Sequence, residues 1–116
     1  MAFSKEVTLK GDQHTYGINP QIKRYSLKDV GFQTTKPGNF YYERSLDPTS
    51  PYSKGDLLKI TISKDMTEFK MAVTTANGLQ AINIFNNPKK EDSVTQYNFI
   101  MDNLVSREIL ARLDND

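Results

Sequence analysis

The sequence predicts an α+β protein in which a curved antiparallel β-sheet carries a C-terminal α-helix packed on one face. Residues 57–64 (LLKITISK) and 69–75 (FKMAVTT) alternate apolar and polar side chains, which is typical of strands with one buried face. Residues 79–85 (LQAINIF) follow after a short turn and are predicted to complete a three-stranded meander. Residues 91–114 repeat apolar side chains at helical spacing, so a helix is expected to cover the apolar face of the meander.

The two predicted faces of the meander differ in chemistry. The inner face takes the apolar side chains of Leu58, Ile60, Ile62, Phe69, Met71, Val73, Ile82 and Ile84. The opposite face takes Lys59, Thr61, Lys70, Ala72, Thr74, Ala81 and Asn83. Asn77-Gly78 is predicted to form the two-residue turn of the last hairpin, with both residues at positive φ. Such a turn would fix the register that keeps Thr74 and Asn83 on the polar face.

Shorter sequence patterns predict the strands, helix and loop of the first half of the chain. Strands are expected within residues 3–10, 14–18, 32–35 and 40–46. A helix of one or two turns is expected to begin at Ser26, as its N-cap, and to end at Gly31. Residues 47–56 are rich in proline, serine and glycine, and they form a loop that is either an ordered surface excursion or a flap.

The C-terminal helix is predicted to change direction along its length. One side carries Val94, Tyr97, Ile100, Met101 and Leu104. Ser93 and Gln96 have the spacing of a capping box at the helix start. Beyond Val105 the apolar stripe moves toward Ile109, so we expect the helix to curve or restart near Ser106.

Length and composition limit the class of protein. A chain of 116 residues with 37% hydrophobic side chains can bury one apolar core, so we expect one domain over residues 1–116. Its 15 basic and 14 acidic residues give a formal charge of +1, which gives no support to nucleic acid as a partner. The absence of cysteine excludes disulfides, thiolate nucleophiles and cysteine metal sites. The N-terminus lacks the pattern of a signal peptide, and no apolar run suits a membrane helix, so a cytoplasmic location without a membrane is expected.

Three stretches and the helix that follows them resemble a known family. They are YSLKDVGF (25–32), GNFYYERSLDPT (38–49) and KDMTEFKMAVTTANGLQAINIF (64–85). In this order and at this length they resemble the small proteins of lactobacilli and related bacteria known as domain of unknown function 1831. The resemblance implies a fold like the saddle of the TATA-binding protein, with helices on one side of a curved antiparallel sheet. It implies no activity, and a shared fold does not imply DNA binding.

No catalytic motif is evident in the sequence. His14, the only histidine, lies in the turn-like stretch GDQHTYG and is predicted to be an exposed loop residue rather than an acid–base catalyst. With one histidine and no cysteine, neither a metal site nor a cofactor is predicted. The resemblance implies a link to amino-acid and sulfur metabolism. A chain without cysteine and without a pyridoxal-phosphate lysine motif would take part in that metabolism as a partner protein.

The candidate binding residues lie on the predicted strands and their polar face. They are Tyr41, Arg44, Lys59, Thr61, Lys70, Thr74 and Asn83. Arg44 can bind a carboxylate through two hydrogen bonds, and the two lysines can attract an acidic group. We therefore predict a non-enzymatic module that binds a protein partner or a small acidic ligand.

Several alternatives stay open. They are cross-strand packing of the aromatic residues, an ordinary solvated sheet face, a nucleic-acid-binding saddle, a homodimer, and a small enzyme or accessory protein of amino-acid or sulfur metabolism.

Overall fold

The computed structural model describes residues 3–9, 11–46 and 55–113. Its strands are β1 (Glu6–Val7), β2 (Tyr16–Ile18), β3 (Gln33–Thr34), β4 (Phe40–Ser45), β5 (Leu57–Ile62), β6 (Phe69–Thr74) and β7 (Leu110–Arg112). Its helices are α1 (Arg24–Val30), α2 (Glu91–Ser106) and a short 3₁₀ helix (Pro88–Lys90). The predicted α+β class, with antiparallel strands and a helix packed against them, is confirmed.

The strands form two sheets rather than the single curved sheet that was expected. Four strands pair in the order β3-β4-β5-β6, and three shorter strands pair in the order β1-β2-β7. The two sheets meet at the edge of β6, where Ser4 and Phe69 exchange two backbone hydrogen bonds of 2.9 Å each. The N-terminal segment thus leaves the edge of the larger sheet and continues into the smaller one.

The core lies against the inner face of the four-stranded sheet. The central residue of this face is Ile60, which is fully buried and pairs with Tyr42 on one side and Met71 on the other. The helix α2 contributes Tyr97, Ile100, Met101 and Leu104 to the same core, and α1 contributes Leu27. Strict alternation along β5 and β6 therefore predicts which side chains are buried up to Val73.

The third strand predicted for the meander is wrong. Residues 79–85 contribute only one isolated bridge, between Ala81 and Thr74, with the Ile82 N–H donating to the Val73 carbonyl at 2.9 Å. The chain then turns away from the sheet and buries Ile84 in the core. Burial of Ile84 agrees with its predicted inner-face position, and the turn in which the Asn83 side chain accepts the Phe85 N–H at 2.8 Å is what competes with further pairing.

The turn before this segment also differs from the prediction. The Gly78 N–H donates to the Thr75 carbonyl at 2.8 Å, and Gly78 has a φ of +76°. Asn77 does not have a positive φ, and its side-chain oxygen instead accepts the Leu79 N–H at 3.0 Å. The turn is therefore a four-residue turn that ends in one left-handed glycine.

The C-terminal segment corrects the predicted curving helix. α2 ends at Ser106, and Glu108 follows with a φ of +61°. The Ile109 N–H then donates to the Leu104 carbonyl at 3.0 Å, which closes the helix. The following residues form β7 and pair with β2 instead of making another helical turn. The shift of the apolar stripe correctly predicted where the helix changes, but it did not predict that a strand follows.

The helix starts also differ from the predicted caps. α1 begins after Lys23 and α2 after Lys90, and neither of these residues makes a side-chain capping bond. Ser26 and Ser93 therefore lie inside their helices. Gly31 does end α1, in the left-handed conformation with a φ of +111°, as predicted.

Most of the predicted loop at 47–56 lies outside the described residues, which resume at Gly55. Its two ends are joined, because the Leu46 N–H donates to the Asp56 carbonyl at 2.7 Å. The Asp56 carboxylate also forms an ion pair of 2.9 Å with Lys90. These contacts connect the start of β5 to β4 and to the 3₁₀ helix.

Candidate functional site

The middle of the outer face of the four-stranded sheet carries six side chains of β4, β5 and β6 in two cross-strand rows. One row is Tyr41–Thr61–Lys70, and the other is Glu43–Lys59–Ala72. Five of the six are half-buried, and Glu43 is exposed. The alternation of β4, β5 and β6 places these residues opposite the core. Four of the predicted binding residues lie together here: Tyr41, Lys59, Thr61 and Lys70.

The two lysines of the outer face are held by contacts within the chain. The Lys59 ammonium donates to the Gly78 carbonyl at 3.1 Å. The Lys70 ammonium lies 5.0 Å from the centre of the Phe3 ring, in a cation–π contact. An ammonium has three N–H donors, so Lys59 keeps two for another acceptor.

Tyr41 is tied to its neighbour on the same face. Its hydroxyl donates to the Glu43 carboxylate at 2.7 Å. Burial and this hydrogen bond to a carboxylate both raise the pKa of Tyr41 above its usual range. Tyr41 therefore stays protonated at neutral pH, and its hydroxyl proton is engaged by the Glu43 carboxylate.

The other three predicted residues do not join this cluster. Arg44 lies on the inner side of the sheet, opposite the buried Leu58, and its guanidinium donates to the Tyr42 hydroxyl at 3.1 Å. Thr74 has the outer-face orientation but is buried, with 6% of its surface exposed. Asn83 lies beyond the sheet, because the chain has already turned toward the core there.

Two of these corrections have simple causes. Arg44 is an even number of residues from Phe40 and Tyr42, so strand alternation places it on their side. Asn83 accepts the Phe85 N–H at 2.8 Å in a local turn, which competes with strand pairing.

Replacing Gly78 with alanine is expected to lower the free energy of unfolding by about 1–2 kcal/mol, the cost of a left-handed conformation with a Cβ atom. Gly78 has a φ of +76°, and its added Cβ would lie 2.8 Å from the Lys59 ammonium. Urea unfolding measures the loss. Gly78→Asn is the matched control and should cost less, because asparagine tolerates this conformation. Equal stability of the alanine variant and wild type would contradict the turn geometry.

A second polar cluster, which we call the tyrosine network, lies between the smaller sheet and α2. The buried Tyr97 hydroxyl donates to the Asp12 carboxylate at 2.8 Å. Arg112 donates to the Tyr16 hydroxyl at 3.3 Å and to the Asp102 carboxylate at 2.5 Å. The network connects β2, β7 and the turn after β1 to the helix.

The only histidine stands beside this network. The His14 N–H donates to the Asp12 carboxylate at 3.1 Å, and its ring meets Tyr16 edge-on with centroids 6.3 Å apart. His14 is half-buried, so the prediction of an exposed loop residue is wrong. Its surroundings form a shallow depression of about 280 Å³ with Asp12, Gln13 and Asn98.

The electrostatics of the tyrosine network favour a structural role. Burial, followed by the hydrogen bond to Asp12, raises the pKa of Tyr97. Burial also raises the pKa of Tyr16, although the hydrogen bond from Arg112 opposes this effect. Both phenols are therefore weaker acids than free tyrosine and remain neutral at physiological pH. Sequence analysis missed the network because Asp12 and Tyr97 are 85 residues apart.

Two absences in the described part of the chain bear on the chemistry of the site. Within residues 3–9, 11–46 and 55–113, no three or more His, Cys, Asp or Glu residues are grouped so that they could hold a metal ion. In that same part of the chain, no helix has both the length and the apolar character needed to cross a membrane.

Comparison with known proteins identifies the family. No curated protein matches the chain. A crystal structure of a DUF1831 family protein (lp2179) from Lactobacillus plantarum is similar, with a TM-score of 0.88 and 44% sequence identity over 97% of this chain and 99% of that one. The model of the DUF1831 family, described as "Putative amino acid metabolism", matches residues 1–111. The chain therefore belongs to the DUF1831 family.

Proposed function

We propose that this protein is a non-enzymatic binding module that holds an acidic group on the outer face of its four-stranded sheet. The observation that supports this proposal is the placement of two lysines around two short side chains. Lys59 pairs with Ala72, and Lys70 pairs with Thr61, in adjacent rows. The two lysines therefore occupy diagonal positions of the two rows, and residues in this relation are about 7–8 Å apart in antiparallel sheets.

The short side chains make room for a ligand between these cations. Ala72 and Thr61 project little above the sheet, so a carboxylate can approach both ammonium groups. The Thr61 hydroxyl and the remaining N–H groups of Lys59 supply donors to it. The contacts of Lys59 with Gly78 and of Lys70 with Phe3 restrict both side chains before binding. This restriction lowers the conformational entropy that binding must remove.

The family description supports an acidic ligand in particular. Amino acids and many of their derivatives carry a carboxylate, and the matching family is described as "Putative amino acid metabolism". The same chemistry is present in an acidic side chain of a protein partner. A small acidic metabolite and an acidic peptide therefore share one mode of recognition, in which a carboxylate lies between Lys59 and Lys70.

A hexaglutamate peptide and L-glutamate serve as probes for this site. We expect Lys59→Glu/Lys70→Glu to weaken binding of the peptide at least about tenfold, which is 1.4 kcal/mol. The control Lys89→Glu/Arg107→Glu changes the same number of charges at exposed positions away from the face, and it should retain binding. Isothermal titration calorimetry measures the affinities, and amide chemical shifts locate the probe.

Two results would refute the proposal. One is equal loss of binding in both double variants, since that would show only a dependence on net charge. The other is an absence of chemical-shift changes at Thr61, Lys70 and Ala72 at saturating probe. A single-stranded oligonucleotide titrated at 50 and 200 mM salt tests the nucleic-acid alternative, because phosphate-driven binding falls steeply over that range.

A further inference from the structure

A cluster of three cationic side chains surrounds a cleft at the end of the four-stranded sheet, away from the outer-face lysines. Arg24 and Lys28 project from α1, and Lys64 projects from the turn after β5. The cleft has a volume of about 240 Å³, and Thr34, Gly38 and Phe40 of the β3–β4 hairpin complete its lining. We refer to it as the basic cleft.

The backbone places these side chains in the cleft. Arg24 and Lys28 are four residues apart on a helix, so they share one face. The Lys64 N–H donates to the Asn39 side chain at 3.0 Å, which attaches the turn to the hairpin. The aliphatic part of Lys64 lies over Gly38, where an added Cβ would be 3.0 Å from Lys64 Cδ. Gly38 therefore leaves the space that Lys64 occupies.

The charge of the basic cleft is not balanced by hydrogen bonds or ion pairs within residues 3–9, 11–46 and 55–113. Among the described residues, no hydrogen bond or ion pair engages the cationic groups of Arg24, Lys28 or Lys64, and no carboxylate lines the cleft. By contrast, Lys90 and Arg112 each have a carboxylate partner, at 2.9 and 2.5 Å. Three cations that converge without an anion repel one another, and a bound anion would remove this repulsion.

One carboxylate lies next to the cleft and opposes an anion. Asp65 lines the adjoining opening, together with Arg24, Asn39, Ser63 and Lys64. Its Oδ1 accepts the Ser63 hydroxyl at 2.7 Å and the Thr67 hydroxyl at 2.8 Å. These hydrogen bonds lower the pKa of Asp65, so it is charged at neutral pH. Three cations and one carboxylate leave an excess of two positive charges.

We propose that the basic cleft binds the phosphate group of a small phosphomonoester. Such a group carries a charge of about −1.5 to −2 and three acceptor oxygens. It therefore matches the excess charge of the cleft, whereas one carboxylate would leave a cation unpaired. The Arg24 guanidinium can bind two phosphate oxygens at once, and Lys28, Lys64 and the Thr34 hydroxyl offer donors to the third. This site is independent of the acidic-group site proposed for the outer face.

Calorimetric titration with phosphoserine tests the proposal, with L-serine as the ligand control and inorganic phosphate as a competitor. We expect saturable phosphoserine binding that Arg24→Gln/Lys64→Gln weakens at least about tenfold. The matched control Lys89→Gln/Arg107→Gln removes two charges at exposed positions outside both proposed sites and should retain phosphoserine affinity within about twofold. Because both pairs keep long polar side chains at the surface, thermal unfolding should show that each variant folds.

A further variant is expected to change phosphoserine binding in the opposite direction. Asp65→Asn removes the opposing charge while keeping an oxygen for Ser63 and Thr67, and it should tighten phosphoserine binding about threefold, as expected for an exposed charge pair. Inorganic phosphate should displace phosphoserine if the phosphate group is the part that is recognised.

Three outcomes would overturn the proposal. They are no saturable binding of either phosphate compound, equal loss of binding in the Arg24→Gln/Lys64→Gln pair and the Lys89→Gln/Arg107→Gln pair, and binding of L-serine as tight as that of phosphoserine. Loss of hexaglutamate binding in Lys59→Glu/Lys70→Glu, with phosphoserine binding retained, would leave this inference intact. Each of the two proposals can therefore be refuted without refuting the other.

Discussion

Replacing Ile60 with alanine is expected to lower the free energy of unfolding by about 2–5 kcal/mol. Ile60 is fully buried at the centre of the inner face, where it pairs with Tyr42 and Met71. The smaller side chain loses its transfer free energy and leaves a cavity between the sheet and the helices. Urea unfolding monitored by circular dichroism gives this loss from the shift of the midpoint at a constant m-value.

The neighbouring residue on β5 provides the control for this prediction. Thr61 is half-buried on the outer face, so Thr61→Ala should cost less than about 1 kcal/mol, the span of strand propensities. A loss at Thr61 as large as that at Ile60 would contradict the assignment of the two faces. It would also remove the outer face as a free surface.

Alkaline pH is expected to destabilise the protein through Tyr97. Burial and the hydrogen bond to Asp12 raise the pKa of Tyr97 in the folded state, whereas an unfolded tyrosine ionises near pH 10. Above about pH 10, the unfolded state loses a proton that the folded state keeps, so the free energy of unfolding falls by up to about 1.4 kcal/mol per pH unit. The stabilisation is complete below pH 10 and is lost as the pH rises above it.

Comparison with Tyr97→Phe isolates this effect. At pH 8 the variant should be less stable by about 1–3 kcal/mol, because the Asp12 carboxylate loses a hydrogen-bond donor. Between pH 10 and 11 this difference should shrink by about 1 kcal/mol, because phenylalanine has no proton to lose. Tyr25→Phe, at a ring that is 63% exposed, should keep a constant difference from wild type. A constant difference for Tyr97→Phe as well would contradict the buried hydrogen bond.

Much of the candidate site followed from local alternation, and its errors arose where alternation stops. β5 and β6 have the predicted faces because apolar and polar side chains alternate there without interruption. Lys59, Thr61 and Lys70 were therefore placed together correctly. Asn83 was misplaced because strand pairing ends after the isolated bridge at Ala81 and the Asn83 side chain accepts the Phe85 N–H in a local turn, which the alternating pattern does not predict.

The basic cleft and the tyrosine network were not predicted at all. Arg24 and Lys64 are 40 residues apart in the chain, and they line one cleft only because the fold brings α1 and the turn after β5 to the same end of the sheet. From the sequence alone, each of these two residues is predicted to be an ordinary charged residue on the surface. The Asp12–Tyr97 hydrogen bond has the same origin, because Tyr97 belongs to the apolar stripe of its helix and its hydroxyl finds a partner only after packing.

The sequence by itself determined the class of the fold, most of its strands and helices, the inner and outer faces of β5 and β6, and the absence of cysteine chemistry. These features depend on neighbours within a few residues, where backbone geometry and side-chain periodicity act directly. Only the tertiary structure decided the division into two sheets, the conversion of the chain end from helix to β7, and the convergence of Arg24, Lys28 and Lys64. Each of these depends on contacts between distant segments, which form when the whole chain buries its apolar side chains together.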